Sequence, residues 1–181
     1  MTVLTDVTLA CWVVLEVSLR VRESVRGKGH SAHDRGTRVL VAVSIGAAVA
    51  VAAAARSDAP AVAWQVAGVV VMWVGLATRI WAVAALGASF RTTVEVDADQ
   101  AVVTTGPYRW VRHPSYTGLL LIVAGFGLSR GSWLSLAACL ALPLPAIVRR
   151  IHVEEAELNR VLGDAYRNYQ AGTARLIPRV W

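Results

Sequence analysis

Hydrophobic residues fall in five long runs along the chain, separated by short polar segments. The runs cover approximately residues 3–19, 39–55, 62–87, 114–128 and 132–148. A helix rises about 1.5 Å per residue, so about 20 apolar residues are needed to cross a bilayer core about 30 Å thick. The pattern predicts five transmembrane helices, the last two joined by SRG as a tight helical hairpin. The fourth, at about 22 Å, is short enough to begin within the headgroup layer.

The composition favours a membrane protein over a soluble one. Of the 181 residues, 56% are hydrophobic, which is more than an average soluble domain contains. A buried helix of a soluble protein is the alternative for the weaker runs. However, the segment LVAVSIGAAVAVAAAA is apolar on every side and has no face for water. We therefore expect one all-α integral membrane domain over residues 1–181.

The basic residues are distributed unevenly among the loops. They concentrate in the loop after the first run, the loop before the fourth run and the C-terminal tail, whereas the opposite loops have only Arg56 and Arg130. Since short basic loops stay cytoplasmic, we predict an outside N-terminus and a cytoplasmic C-terminus, in a bacterial-type inner or plasma membrane. The net charge of +6 follows from these loops. It therefore does not indicate nucleic-acid binding, which favours a concentrated basic face on a soluble domain.

Two cytoplasmic segments have patterns of their own. The segment FRTTVEVDADQAVVTTGPY alternates apolar and polar residues around two turns, which predicts a small β-like ribbon or flap. Residues 149–170 repeat apolar positions at steps of three and four, which predicts one amphipathic tail helix. On a helical wheel, Glu154 and Glu155 flank the apolar stripe. Carboxylates there are costly without a partner. Either an arginine pairs with them, or they receive the ammonium or hydroxyl groups of a ligand.

The stretch RWVRHPSYTG places cations directly before the fourth run. Pro114 suits the first position of a helix, so the free N–H groups of that helix would face Arg112 and His113. A helix start flanked by Arg109 and Arg112 predicts a site for a carboxylate. Tyr116 and Gly118 in the first turns would allow ring stacking and a close backbone approach. The alternative is that the arginines and Trp110 only anchor the helix at the headgroups.

Other polar residues give weaker signals. The four histidines form no compact constellation, so we expect no metal site. Glu16 and Arg79 lie towards the cytoplasmic ends of their runs. They either pair with each other or snorkel to the headgroups, or they contact the polar head of a substrate.

Together these motifs resemble the isoprenylcysteine carboxyl methyltransferase family of integral membrane enzymes, which is similar in its core to the phospholipid methyltransferases. The resemblance rests on GPYRWVRHPSYTG, then EEAELNRVLGDAYRNYQ, then RLIP, and it covers the chain from Arg79 to the end. It implies S-adenosylmethionine as methyl donor, in a cytoplasmic pocket between the hairpin and the tail helix. It also implies a lipophilic acceptor that enters from the bilayer.

The resemblance assigns roles to particular residues. Arg112 and Arg175 would orient an anionic acceptor, and Glu155 would bind the cofactor's polar end with Glu154. The remaining cofactor-binding positions would be Tyr108, His113, Pro114, Tyr116, Gly118, Tyr166 and Tyr169. The expected reaction is in-line displacement at the sulfonium methyl group. A carboxylate or thiolate acceptor needs no base, whereas an amine or phenol would need a glutamate to remove a proton.

The acceptor and the oligomeric state stay open at this point. Prenylcysteine methyltransferases usually carry a basic residue followed by Val-Pro before the final proline, whereas this chain reads YQAGTARLIP. Two other hypotheses remain. A membrane reductase of the sterol-reductase type shares the helical core but uses a nicotinamide cofactor, and a non-enzymatic scaffold would keep the core alone.

Overall fold

A computed structural model describes residues 2–25, 36–57, 61–87 and 102–181, and the ordered elements within these ranges are helical. A short 3-10 helix, Gly106–Arg109, precedes the fourth α-helix. The α-helices are α1 (Thr2–Val25), α2 (Thr37–Ala54), α3 (Val62–Leu86), α4 (Pro114–Ser129), α5 (Trp133–Ala141), α6 (Pro143–Leu162) and α7 (Asp164–Gly172). The all-α prediction is confirmed.

Among the residues that the structure describes, three helical segments are long and apolar enough to cross a membrane: α2, α3 and the segment Trp133–Leu162 that joins α5 and α6. At 16 residues, α4 is a shorter apolar helix. It begins at Pro114, as predicted, because proline lacks the N–H that the first position of a helix leaves unused. The count of five membrane spans stays a prediction.

No helix boundary lies at residue 149, where the predicted fifth span meets the predicted tail helix. The helix interrupts at Leu142, and α6 then runs from Pro143 through residue 149 without a break. It ends at Leu162 because Gly163 adopts a φ of 57°, a conformation that glycine tolerates at no steric cost. The tail is therefore two helices, α6 and α7, rather than one helix over residues 149–170.

Most of the predicted flap (residues 90–108) lies outside the described residues, because the structure does not describe residues 88–101. Val102 and Val103 belong to an extended segment without strand pairing, and the chain then enters the 3-10 helix.

The closest packing in the described bundle is between α3 and α4, and glycines at two levels permit it. A Cβ atom on Gly118 would lie 2.7 Å from the carbonyl oxygen of Gly75, and one on Gly125 would lie 2.6 Å from that of Gly68. Such distances leave no room for a side chain, so the two backbones touch directly. Gly127 similarly packs against α5.

The two ends of the bundle have different polar contacts. At one end, Arg130 lies 3.9 Å from Asp6 of α1, and its carbonyl accepts a hydrogen bond from the Ser57 amide. At the other end, Arg79 of α3 contacts Ser115 of α4. The second end carries the candidate site.

Candidate active site

The start of α4 is held by the C-terminal segment of the chain, which we call the strap (residues 173–176). Val111 and Ala174 form a parallel β-bridge. The Arg112 amide donates to the Ala174 carbonyl at 2.7 Å, and the His113 amide donates to the Arg175 carbonyl at 3.0 Å. Because of these bonds, Arg175 lies beside the motif that begins α4.

Glu155 is the centre of the resulting cluster. Its side chain is buried, and Arg112 Nε donates to Oε1 at 2.9 Å. His113 Nε2 lies 3.2 Å from the same oxygen, and Arg175 Nε donates to Oε2 at 3.1 Å. Arg112 also reaches the carbonyls of Gln170 and Thr173. One carboxylate therefore joins α4, α6 and the strap.

Glu154 forms a second, more exposed contact set. Its Oε1 accepts a hydrogen bond from the Tyr116 hydroxyl and forms an ion pair with Arg150, whose Nε lies 3.0 Å away. Its Oε2 lies 3.6 Å from His113 Nδ1. The imidazole of His113 thus lies between the two glutamates. The side chain of Glu154 is 20% exposed, against 6% for Glu155.

The sequence left two interpretations of Glu154 and Glu155: pairing with an arginine, or binding of a ligand. The structure shows which protein groups contact them. Both carboxylates are in ion pairs with arginines, as the first interpretation expected. Their role in binding a ligand stays a prediction. The helical wheel over residues 149–170 predicts Ala165 in the apolar stripe and Glu157 on the opposite, polar side, but in the structure Glu157 is buried and Ala165 is exposed. The break at Gly163 explains Ala165, because α7 leaves the axis on which the wheel was drawn.

The three predicted site tyrosines outside the membrane helices border this cluster or one another. Tyr169 donates its hydroxyl to the Tyr108 carbonyl at 2.6 Å, and its ring lies 5.9 Å from that of Tyr166. Burial raises the pKa of Tyr169 to about 12. Burial also raises the pKa of Tyr108 and of Tyr166 well above the usual range. These hydroxyls therefore stay protonated near neutral pH and act as hydrogen-bond donors rather than as bases.

The predicted carboxylate site between Arg109 and Arg112 takes a different form in the structure. Arg112 faces Glu155, whereas the Arg109 guanidinium lies 4.3 Å from the centre of the Trp110 ring. Trp110 also meets Trp81 edge to face at 5.6 Å and is half exposed. These contacts fit the alternative of a headgroup anchor for Arg109 and Trp110. The two arginines do not converge.

Two further predicted positions have structural explanations. Pro114 is fully buried at the first position of α4. Gly118 lacks a side chain because α3 occupies that space, so its predicted place beside a cofactor has no support from this contact. For Glu16 and Arg79, the mutual-pairing interpretation is confirmed.

Sequence reasoning missed Arg150 and the strap. Arg150 is 3% exposed and contacts both Tyr116 and the Thr37 hydroxyl of α2. An arginine four residues before Glu154 was an available signal, because residues i and i+4 share a helix face. The pairing of the strap joins residues about 60 positions apart, and no local pattern indicates it.

Comparisons with known proteins agree with this geometry. Residues 66–160 match the model of the isoprenylcysteine carboxyl methyltransferase (ICMT) family. The chain is 31% identical over 115 residues to protein-S-isoprenylcysteine O-methyltransferase A of Arabidopsis thaliana, covering 62% of this chain and 58% of the relative. The corresponding protein of Schizosaccharomyces pombe is 29% identical over 119 residues, covering 65% and 50%. The chain therefore spans about half the length of the curated relatives it matches.

A solved structure of the eukaryotic intramembrane Ras methyltransferase ICMT is similar as well. It superposes with a TM-score of 0.59 at 30% identity, over 62% of this chain and 41% of that one. The family match contains the start of α4 and the paired glutamates, which are the residues that the structure brings into one cluster. By sequence and by fold, the chain belongs to the isoprenylcysteine carboxyl methyltransferase family.

Proposed function

We propose that this protein is an integral membrane methyltransferase that transfers a methyl group from S-adenosylmethionine to a lipophilic acceptor. One observation carries the proposal: His113 lies between Glu154 and Glu155, and Arg112 and Arg175 both contact Glu155. A cluster of both charge signs at one end of an apolar bundle suits a small polar cofactor beside an acceptor held in lipid. The relatives named above are methyltransferases, which favours this chemistry over a reductase or a scaffold.

The chemistry of the donor set fits S-adenosylmethionine. The cofactor has an ammonium, a carboxylate and a ribose diol, so it needs acceptors as well as cationic donors. Glu154 is the more exposed carboxylate, and a carboxylate has about four lone-pair positions. We assign Glu154 to an ammonium or hydroxyl group of the cofactor. His113, Tyr116 and the tyrosines of the 3-10 helix and α7 would border the same space.

The acceptor group would lie nearest Arg112 and Arg175. Arg175 is the more accessible of the two, with 29% of its side chain exposed. A cation at that position attracts a carboxylate or thiolate, and it leaves the reacting anion oriented rather than free in water. We therefore propose a carboxylate or thiol of an isoprenoid or other lipid-like molecule as acceptor.

The contacts of Glu155 also favour an acceptor that is already an anion. Hydrogen bonds from Arg112 and Arg175, with His113 beside them, stabilise the charged carboxylate. Such a group is a weak base. S-adenosylmethionine supplies an electrophilic methyl group on a sulfonium. The work of the protein is then to align the attacking atom in line with that group and to exclude water.

The location of the site fits an acceptor that enters from the bilayer. The cluster lies at the start of α4, and this helix packs among segments long enough to span a membrane. The basic residues of the strap and of the loop before α4 belong to the same end. We propose that this end is cytoplasmic, with the N-terminus outside.

Ligand binding is the first test. We would titrate the purified protein in nanodiscs with S-adenosylmethionine, S-adenosylhomocysteine and NADPH by calorimetry, and assay methyl transfer to S-farnesyl and small thiol acceptors. We expect saturable binding of the two adenosyl compounds and none of NADPH. Glu155→Gln should weaken that binding at least 10-fold, because the amide cannot balance two arginines.

Asp164→Asn is the matched control, since it removes a carboxylate whose partner is the exposed Arg167 on the same helix. It should bind as the unaltered protein does. Binding of NADPH instead of the adenosyl compounds would replace the methyltransferase proposal by the reductase. Folded protein that binds neither would leave the scaffold as the better explanation.

A further inference from the structure

A second buried ion pair lies beside the candidate site and is separate from the His113 cluster. Arg79 of α3 is 6% exposed. Its Nε and Nη2 atoms both donate to the Glu16 carboxylate of α1, the second at 2.8 Å. Trp12 Nε1 donates to the same carboxylate at 3.0 Å. This bidentate arrangement uses one edge of the guanidinium and satisfies the glutamate.

The remaining nitrogen of Arg79 points at α4. Its Nη1 donates to the Ser115 hydroxyl at 2.6 Å and to the Ser115 carbonyl at 3.1 Å. Ser115 lies in the first turn of α4, between Pro114 and Tyr116. A charged donor therefore holds the turn that carries two predicted cofactor-binding positions.

Helix packing makes this contact specific. The close approach of Gly75 and Gly118 brings α3 against α4 one turn from Arg79, and a Cβ on Gly118 would lie 2.8 Å from the Arg79 amide. This backbone contact leaves α3 and α4 little freedom to slide past each other. With the two helices held in this way, the hydrogen bonds from Arg79 to Ser115 set the position of the first turn of α4.

We infer that Arg79 is a positioning residue that sets the first turn of α4, and that Glu16 orients Arg79 for this role. The inference rests on the proposed function, because it assigns the two residues a part in the geometry of methyl transfer. Glu16 lies outside the family match at residues 66–160, whereas Arg79 lies within it. Through Glu16, the first helix contributes to the proposed site indirectly, by way of Arg79 and Ser115.

Arg79→Lys separates positioning from pairing. A lysine keeps the charge opposite Glu16 but has one ammonium, which cannot bind both Glu16 and Ser115 in the geometry of a guanidinium. We expect a thermal midpoint near that of the unaltered protein and a kcat lowered about 10-fold, since small displacements of reacting groups carry large rate effects. Hydrogen exchange of the backbone amides of residues 111–118 should be faster.

The control and the second variant make the result decisive. Thr78→Ala changes the neighbouring, partly buried residue of α3, whose hydroxyl donates to the Val74 carbonyl of its own helix, and it should leave kcat and exchange unchanged. In the exchanged pair Glu16→Arg with Arg79→Glu, the ion pair re-forms but the donor to Ser115 is lost. Arg79→Gln removes the ion pair and should lower the thermal midpoint. The exchanged pair should restore that midpoint without restoring kcat.

Two results would overturn the inference. One is Arg79→Lys with wild-type kcat and unchanged exchange at residues 111–118. The other is an exchanged pair that recovers kcat together with stability, which would limit Arg79 to joining α1 and α3. Should the unaltered protein bind no S-adenosylhomocysteine, the proposed function fails. The exchange measurement still decides whether Arg79 holds α4.

Discussion

The two ends of α4 are built from different interactions, although one short apolar helix contains both. At its start, His113 and Tyr116 meet two carboxylates and one arginine from α6. At its end, Gly125 and Gly127 press against the backbones of α3 and α5. A small cleft beside this end is lined by Trp64 and Trp133 together with Leu128, Gly131, Ser132 and Leu136. That cleft lacks the mixed charges of the other end.

The difference shows which part of α4 is scaffold and which part is suited to chemistry. Backbone contact at the glycines fixes where the helix lies, since close-packed small residues allow little relative movement. The polar end then needs only local hydrogen bonds to arrange its side chains. We therefore expect changes at the polar end to affect turnover more than stability, and changes at the glycine end to affect stability first.

Arg112→Lys should produce the largest effect and tests the polar end. Lysine cannot donate to Glu155 and to the carbonyls of Gln170 and Thr173 at once. We expect kcat/KM for methyl transfer to fall about 100-fold, measured with the acceptor found active in the transfer assay. Arg109→Lys is the matched control, because its cation lies over Trp110 rather than in the cluster. Equal losses in both variants would contradict the separation of the two arginines.

Gly125→Ala tests the glycine end. The added Cβ would meet the Gly68 carbonyl at 2.6 Å and the Met72 amide at 2.7 Å, and overpacking of this kind costs about 1–3 kcal/mol. We expect the midpoint of thermal unfolding in detergent to fall by about 5 °C or more. Gly46→Ala on α2 meets nothing within 4 Å and should leave the midpoint unchanged. A stable Gly125→Ala protein with low activity would reverse the assignment of the two ends.

Glu154→Gln should separate the two glutamates. This carboxylate is the more exposed, and we assign it to the cofactor. We expect KM for S-adenosylmethionine to rise about 10-fold, as for loss of one charge-assisted hydrogen bond, while kcat changes little. Steady-state kinetics at varied cofactor concentration measure both constants. A fall in kcat at unchanged KM would instead place Glu154 with the acceptor.

The smallest expected effect is a pH dependence of stability. The pKa of Tyr169 is raised by burial to about 12 in the folded protein, whereas an unfolded tyrosine ionises near 10. Below pH 10 the resulting stabilisation is complete, and it is lost as the pH rises from about 10 to about 12. We expect the thermal midpoint to fall by a few degrees over this interval. Tyr169→Phe should show a shallower fall, and an equal fall would assign the effect to other groups.

Much of the fold followed from local patterns. The starts of α3 and α4 were predicted to the residue at Val62 and Pro114, because apolar run length and the missing proline N–H are local properties. The interruption of the helix between α5 and α6 at Leu142 was not predicted. An amphipathic segment that continues a membrane helix has no compositional boundary where the axis turns, and the turn at Leu142 and Pro143 depends on packing.

The candidate site was predicted in part. Glu154 and Glu155 stood out because two carboxylates beside an apolar stripe need partners. Their partners could not be predicted, since the wheel describes one helix and Arg112 and Arg175 come from elsewhere in the chain. The missing side chain of Gly118 suits a close approach of either a cofactor or a neighbouring helix, and only the position of α3 favoured helix packing.

The sequence by itself determined that the chain is helical and apolar, which residue begins α4, and which polar groups needed compensation. These properties depend on periodicity, run length and the cost of burying charge, all of which are local. Only the tertiary structure decided that Glu155 joins three segments, that Arg79 of α3 holds α4 while paired to α1, and that the strap lies beside His113. Such contacts join residues 20 to 63 positions apart, and they exist only because backbone packing at the glycines brings the helices together.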